Sequence, residues 1–368
     1  MNEEEARYVH ALKLAPGIGD ILAKQLISYC GSAAAIFKEK KGALLKIPNI
    51  GNKTIEALNS MDLLDKAEQC MRQCADYKIQ ILPYYHKDYP SLLKLVNDSP
   101  LLIYAKGSTR FENQKMIAIV GTRNATEYGR QTTQKIVEDL AGYDAVIVSG
   151  MAYGIDITAH RAALKNNLPT VAVLAGGLDR IYPAAHRQVA EEMLADGAWM
   201  SEYLPGVKPD PHHFPMRNRI IAGMSEALVV VEAANKGGAL ITANIAHSYD
   251  REVFAVPGTL QNKYSEGCNG LIRSQKANIY TSVADLNYLL GWEKGEVKPA
   301  KTKIDISELK AAEQKIMRIL IDSKSGLQLD ELSWKTQMSI NETVSSLLSL
   351  EFEGAVKSLP GKVYVALY

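Results

Sequence analysis

Residues 116–150 read MIAIVGTRNATEYGRQTTQKIVEDLAGYDAVIVSG. Two short apolar runs, 116–120 and 145–148, bracket a longer amphipathic stretch, and each run ends at a glycine. The pattern is strand, glycine loop, helix, strand. It repeats downstream, with further apolar runs at 170–174, 227–232 and 252–256 and helical patterns between them. Continuous apolar strands alternating with amphipathic helices predict a parallel sheet covered on both faces. Right-handed crossovers then align the carboxyl ends of the strands along one edge, where ligands bind in such sheets.

On either side of this core the grammar changes. Residues 1–80 read as helical and contain a glycine pattern twice. Pro16-Gly17-Ile18-Gly19 precedes one apolar helix and Pro48-Asn49-Ile50-Gly51 another. The first copy looks like a helix-hairpin-helix, whose turn can present backbone N–H groups to a DNA phosphate. A simple helix–helix turn explains it equally well. The second copy keeps one glycine of the pair and reads as structural. After the core (81–292), the charged stretch 293–303 (EKGEVKPAKTK) reads as a linker. Residues 304–368 read as three helices and a hairpin, the order of a winged helix. Val344, Leu347, Leu348 and Phe352 are its expected apolar stripe on the third helix.

Composition narrows the function. The 368 residues hold 42 Lys and Arg against 41 Asp and Glu, a net charge of +1, so bulk electrostatic binding of nucleic acid is excluded. A local basic site is not. Segment by segment the net charge is +1 over 1–80, +2 over 81–303 and −2 over 304–368. The third helix of the winged segment carries Glu342, with Glu351 and Glu353 at its end, and no Lys or Arg between 340 and 354. A groove-reading helix needs basic side chains there, so protein contact or structural support fits this module better. Four scattered cysteines, no long apolar run and an acidic amino terminus predict a soluble protein of a reducing cytoplasm. Cys70 and Cys74 read as packing residues. His212 and His213 lack partners at ligand spacing, so no metal or cofactor is expected.

The chemistry-bearing residues cluster in the loops that follow the strands. In Gly121-Thr122-Arg123, the glycine lets backbone approach a ligand and Arg123 offers a bidentate donor. Thr126 can cap the next helix, leaving N–H groups for a phosphate. The run is not GxGxxG, because position 123 is Arg. Gly150 and Gly154 follow the next strand, and Arg187 lies beyond the third. Lys208 to Arg219 (KPDPHHFPMRNR) places Arg217, Asn218 and Arg219 beside Phe214. Basic groups interleaved with an aromatic suit single-stranded nucleic acid, with phosphates on guanidinium groups and a base on the ring. The competing reading puts Arg217 and Arg219 in ion pairs around Glu202 or Glu226. Finally, Lys236-Gly237-Gly238 with Thr242 makes a helix start suited to an anion, without being a Walker A loop. No nucleophile–base set appears, so catalysis is not expected.

The runs GTRNATEYG, VSGMAYGIDITAH, GGLDRIYP, FPMRNRIIAGMS, GGALIT and VFAVPG together resemble the DprA/Smf family of DNA-processing proteins of bacterial natural transformation. The resemblance extends over most of the chain. It implies a Rossmann-like core that binds single-stranded DNA, loads the RecA recombinase and forms a homodimer through that core. It carries the DNA-binding role onto Arg123, Arg217 and Arg219, with Lys236, Gly237, Gly238 and Thr242 as backbone-anion contacts and Arg187 in a more variable position. Tyr153 and the run Ser274-Gln275-Lys276-Ala277 depart from the family pattern, and neither touches the basic set. The core also resembles nucleotide phosphoribohydrolases, which carry PGGxGT closely followed by Glu. Ala243, Asn244 and Ile245 supply no such carboxylate.

Overall fold

The computed structural model describes residues 3–60, 62–111, 114–292, 309–323, 326–352, 355–359 and 363–366. The sequence-predicted linker 293–303 lies outside them. The chain divides into two compact units, Met1–Gly295 and Glu296–Tyr368.

The first unit is built on a nine-stranded sheet: β1 (Gln80–Pro83), β2 (Leu102–Gly107), β3 (Lys115–Val120), β4 (Ala145–Ser149), β5 (Thr170–Val173), β6 (Ala198–Ser201), β7 (Ala227–Val230), β8 (Glu252–Ala255) and β9 (Asn278–Ile279). Their order across the sheet is β1-β2-β6-β5-β4-β3-β7-β8-β9. From β6 to β9 every pairing is parallel, while β1 and β2 extend the β6 edge as antiparallel strands. All five strands expected from the apolar runs are present. β1, β2, β6 and β9 are additional.

The alternation along β3 sorts the layers. Ile117 and Ile119 point to one face, where they pack with Ile136, Val137 and Leu140 of the helix Glu127–Leu140. Ala118 and Val120 point to the other, against Ile220 and Ile221 of the helix His213–Met224 and Ala239 and Ala243 of the helix Gly238–Ser248. With helices on both faces, every residue of β4, β5 and β7 is buried, which is why these strands read as unbroken apolar runs.

The helices Glu3–Leu14, Asp20–Cys30, Ala33–Lys38 and Leu63–Asp76 bury Val9, Leu12, Leu26, Ile36 and Ala67. The same apolar cluster continues into Leu102 and Tyr104 of β2 and Trp199 of β6. The helix after the first glycine turn reaches the second through Gln25, whose Nε2 donates to Pro48 O at 3.2 Å.

The second unit has the helices Ala311–Asp322, Leu329–Thr336 and Ile340–Phe352 and a three-stranded sheet, β10 (Leu327–Gln328), β11 (Val356–Leu359) and β12 (Val363–Ala366), in the order β10-β12-β11. The turn of the expected hairpin, residues 360–362, lies outside the described residues. One expectation is corrected here. The third helix buries Thr343, Leu347 and Leu350, whereas Val344 and Leu348 are exposed and Phe352 is 85% exposed. Leu347 is buried as expected, but the packed face runs through Thr343 and Leu350 rather than Val344, Leu348 and Phe352, because an apolar-rich helix offers overlapping faces and tertiary packing chose between them.

Candidate nucleic-acid interface

The chain reverses its winding between β3 and β7. The helix after β3 packs on one face of the sheet and the helix after β7 on the other. A crevice therefore opens at the carboxyl ends of these two strands. It holds a cleft of about 610 Å³ lined by the loops after β3, β4, β7 and β8 and by the start of the helix His213–Met224.

The loop after β3 approaches its neighbours closely. A Cβ on Gly121 would lie 2.4 Å from Ile155, so only glycine fits. Thr122 N donates to Glu232 O at 2.7 Å and Thr122 O accepts from Ile155 N at 3.2 Å, which fixes the loop. Arg123 is thereby held out in solvent, its guanidinium 5.4 Å from the centroid of the Phe214 ring.

The helix that follows is not the phosphate site anticipated from Thr126. Thr126 does cap it, accepting from Gly129 N at 3.2 Å. But the buried Glu232 carboxylate already fills that terminus, taking Thr126 N at 2.9 Å and Thr126 Oγ1 at 2.6 Å. A second anion there would meet a like charge.

Arg217 forms the floor of the cleft. It is 4% exposed. Nη1 donates to Gly150 O at 2.6 Å and also to Val173 O, tying the ends of β4 and β5 together. Nε donates to Asn218 Oδ1, and Asn218 Nδ2 reaches Gly238 O at 3.4 Å. A Cβ on Gly150 would collide with the guanidinium at 2.4 Å. Burial lowers the Arg217 pKa to about 10, with Asp156 opposing the shift. Burial raises Asp156, with Arg217 opposing. Its carboxyl accepts from Gly150 N and Ala152 N. Arg217 thus supplies positive potential from below while its hydrogen bonds hold strand ends.

The opposite wall is Lys236-Gly237-Gly238. Lys236 is exposed and has no ion pair among the described residues. The helix Gly238–Ser248 begins without a side-chain cap. Thr242 is buried and donates to Gly238 O at 2.9 Å, inside the helix. Around a Cβ built on Gly237 nothing lies within 4 Å, and on Gly238 only Asn218 Nδ2 at 3.9 Å. Unlike Gly121 or Gly150, these glycines are not demanded by any neighbour among the described residues.

Two expected residues stand elsewhere. Arg219 is 5% exposed and points away from the cleft. Its guanidinium pairs with Glu202 and with Asp20 Oδ2 at 3.6 Å, and donates to Asp98 O. The ion-pair reading is the one the structure bears out for this residue. Arg187 lies on the surface in an i,i+4 pair with Glu191 at 2.8 Å and does not line the cleft. Conversely, Lys263 and Tyr264, in the loop after β8, line it and were missed. VFAVPG marks another strand end, but nothing in the sequence places that end at the cleft.

The cleft therefore offers three exposed cations (Arg123, Lys236 and Lys263), a half-buried ring and uncovered backbone. This set can hold a chain of phosphates and a stacked base. Among the described residues no group of His, Cys, Asp or Glu could hold a metal ion, and no helix is long and apolar enough to cross a membrane.

Comparison with known proteins gives the same direction. The family model for DNA recombination-mediator protein A matches residues 80–291, and that for the DprA winged helix domain matches 300–362. The chain is 31% identical to Protein Smf of Synechocystis sp. over 99% of both chains. It is 42% identical to the DNA processing protein DprA of Bacillus subtilis, over 55% of this chain and 69% of that one. Among solved structures, the DprA of Streptococcus pneumoniae superposes with a TM-score of 0.62 at 29% identity, covering 78% of this chain and 98% of that one. The DprA of Helicobacter pylori, described for its single-stranded DNA binding mode, gives 0.53 at 30% identity, covering 59% and 98%.

Proposed function

Since the chain belongs to the DNA recombination-mediator protein A family, we propose that its cleft binds single-stranded DNA and that the protein hands the coated strand to a RecA-type recombinase in the cytoplasm. The observation that carries this reading is the trio Arg123, Lys236 and Lys263 around Phe214, unpaired cations beside an aromatic ring and two glycines with open space above them. Phosphates would pair with the cations and approach the backbone at Gly237 and Gly238, and a base would lie on Phe214. The role is binding rather than catalysis. The helix after the glycines supplies no carboxylate near its start, where a phosphoribohydrolase would place one. A homodimer through the core accounts for how two such clefts act on one strand, and the winged helix, with Glu342 and Glu351 on its third helix, is left for protein contact.

The test is a salt series with oligothymidine. For single strands the slope of log affinity against log salt is about −0.7 per phosphate neutralised. Arg123→Ala and Lys236→Ala are each expected to flatten the slope by about that amount, and Arg187→Ala to leave it alone. Unchanged slopes in both cleft variants would remove the assignment. Free base released from a nucleoside monophosphate would replace it with the enzymatic reading. RecA filament growth on oligothymidine coated by a single-strand-binding protein, with and without this chain, tests the hand-over.

A further inference from the structure

The two glycine turns of the amino-terminal helices repeat one sequence pattern in different surroundings. At the first, Asp20 opens the helix Asp20–Cys30, accepts from Leu101 N at 3.1 Å and pairs with Lys13 at 2.8 Å. Lys24 of the same helix donates to Ser99 Oγ at 2.6 Å. Lys13, Asp20 and Lys24 of this copy are thus spent on contacts within the body of the protein.

The second turn, Pro48-Asn49-Ile50-Gly51, differs. Residues 40–53 hold four lysines and no Asp or Glu. Lys40, Lys41, Lys46 and Lys53 are all exposed, and none has a side-chain partner among the described residues. The nearest acidic residues in sequence are Glu39, whose carboxylate accepts from Lys40 N, and the exposed Glu56. Four unneutralised ammonium groups within fourteen residues make a local field that draws a polyanion, in a chain whose overall charge is near zero.

What the patch lacks identifies the polyanion. Residues 40–53 include no aromatic side chain on which an unstacked base could lie. Lysine meets phosphate as a point charge and reads no base. The cleft is the reverse case, with Phe214 and Tyr264 among its cations. We infer that residues 40–53 form a second nucleic-acid surface, one that grips the phosphate backbone of duplex DNA. A duplex carries one charge per about 1.7 Å of axis, dense enough for each lysine to meet a phosphate. With both surfaces, one chain holds a single strand beside a duplex, the arrangement that strand pairing requires. The duplex surface stands on its own observations, independent of the cleft assignment.

The experiment uses the full-length chain, a blunt 30-base-pair duplex and oligothymidine, each across a salt series. In Lys40→Gln/Lys41→Gln/Lys46→Gln/Lys53→Gln, the duplex slope is expected to fall by about 3 to 4, at roughly 0.9 per lost contact. The oligothymidine slope stays near that of the parent. The four corresponding Lys→Arg changes, which keep the charge, retain the parental duplex slope. Arg123→Ala leaves the duplex slope unchanged. An unaltered duplex slope in the quadruple Gln variant, with parental thermal unfolding, overturns the inference. So does absence of duplex binding by the parent, or an equal loss on duplex and oligothymidine, which would mean one shared surface. Failure of both Arg123→Ala and Lys236→Ala to flatten the oligothymidine slope would instead remove the cleft assignment and leave this one standing.

Discussion

Arg123 and Lys236 stand in solvent at the cleft with no ion-pair partner among the described residues, whereas Arg219, on the helix that floors the same cleft, is buried against Glu202 and Asp20. The residue types are the same and the stretches are adjacent in space. What separates them is the presence of a carboxylate partner. A cation left unpaired at a surface costs little and stays available to a ligand. A cation paired in the interior is committed, because removing either partner strands a buried charge. The Arg219 cluster also joins the amino-terminal helices, through Asp20, to the sheet, through Glu202. It therefore holds the first unit together behind the cleft.

The largest expected effect tests the buried side of this comparison. Arg219→Ala leaves the buried Glu202 without its partner, while Asp20 keeps Lys13 at 2.8 Å, and should cost about 3–5 kcal/mol in chemical denaturation. Arg219→Ala combined with Glu202→Gln should recover part of the loss. A cost under about 1 kcal/mol would mean that the two regions are energetically alike. Arg123→Ala should stay within about 0.5 kcal/mol of the parent.

Next in size is a pH effect confined to the interior. Burial lowers His10 to about 4, against the opposing effect of the hydrogen bond that its Nδ1 donates to Ala6 O. Burial, reinforced by Arg217 and His186, lowers His160 to about 3. The unfolded chain protonates both near 6.5 and the folded chain resists. Their contribution is thus fully present above pH 6.5 and is lost as pH falls toward 4, by about 1.4 kcal/mol per pH unit for each histidine. Glu202 and Asp156, raised by burial, act in the opposite sense. The difference between parent and His160→Leu isolates one histidine. Denaturation midpoints from pH 7 to 5 should fall less steeply in the variant, and parallel curves would show that His160 is not held neutral by the fold.

The smallest stability effect belongs to the cleft. Gly237 has an extended backbone, φ 161°, and open space around a built Cβ. Gly237→Ala should move stability by less than about 0.5 kcal/mol. It should still weaken oligothymidine about tenfold by keeping a phosphate off the backbone N–H groups. Unchanged affinity would mean that the ligand does not approach there.

Much of this was readable along the chain. The five central strands were legible because burial on both faces writes itself as a continuous apolar run. The loops after β3 and β7 were legible because strand ends are punctuated by glycine. β2 and β6 were not, since four to six residues acquire meaning only through an antiparallel pairing about 95 positions apart, as between Ala105 and Met200. Lys263 was missed because nothing local marks it, and only the sheet order brings the loop after β8 to the cleft.

The arginines draw the dividing line most clearly. Sequence by itself determined the layered α/β architecture, the winged-helix order at the carboxyl end and the cluster of cations at the strand ends. These depend on periodicity and turn chemistry, which act over a few residues. Only the tertiary structure decided which cations are free. Glu202, Asp98 and Asp20 lie 17, 121 and 199 positions from Arg219, by their residue numbers. Pairing of charges depends on distance in space, and a chain's order does not fix that distance until the layers are packed.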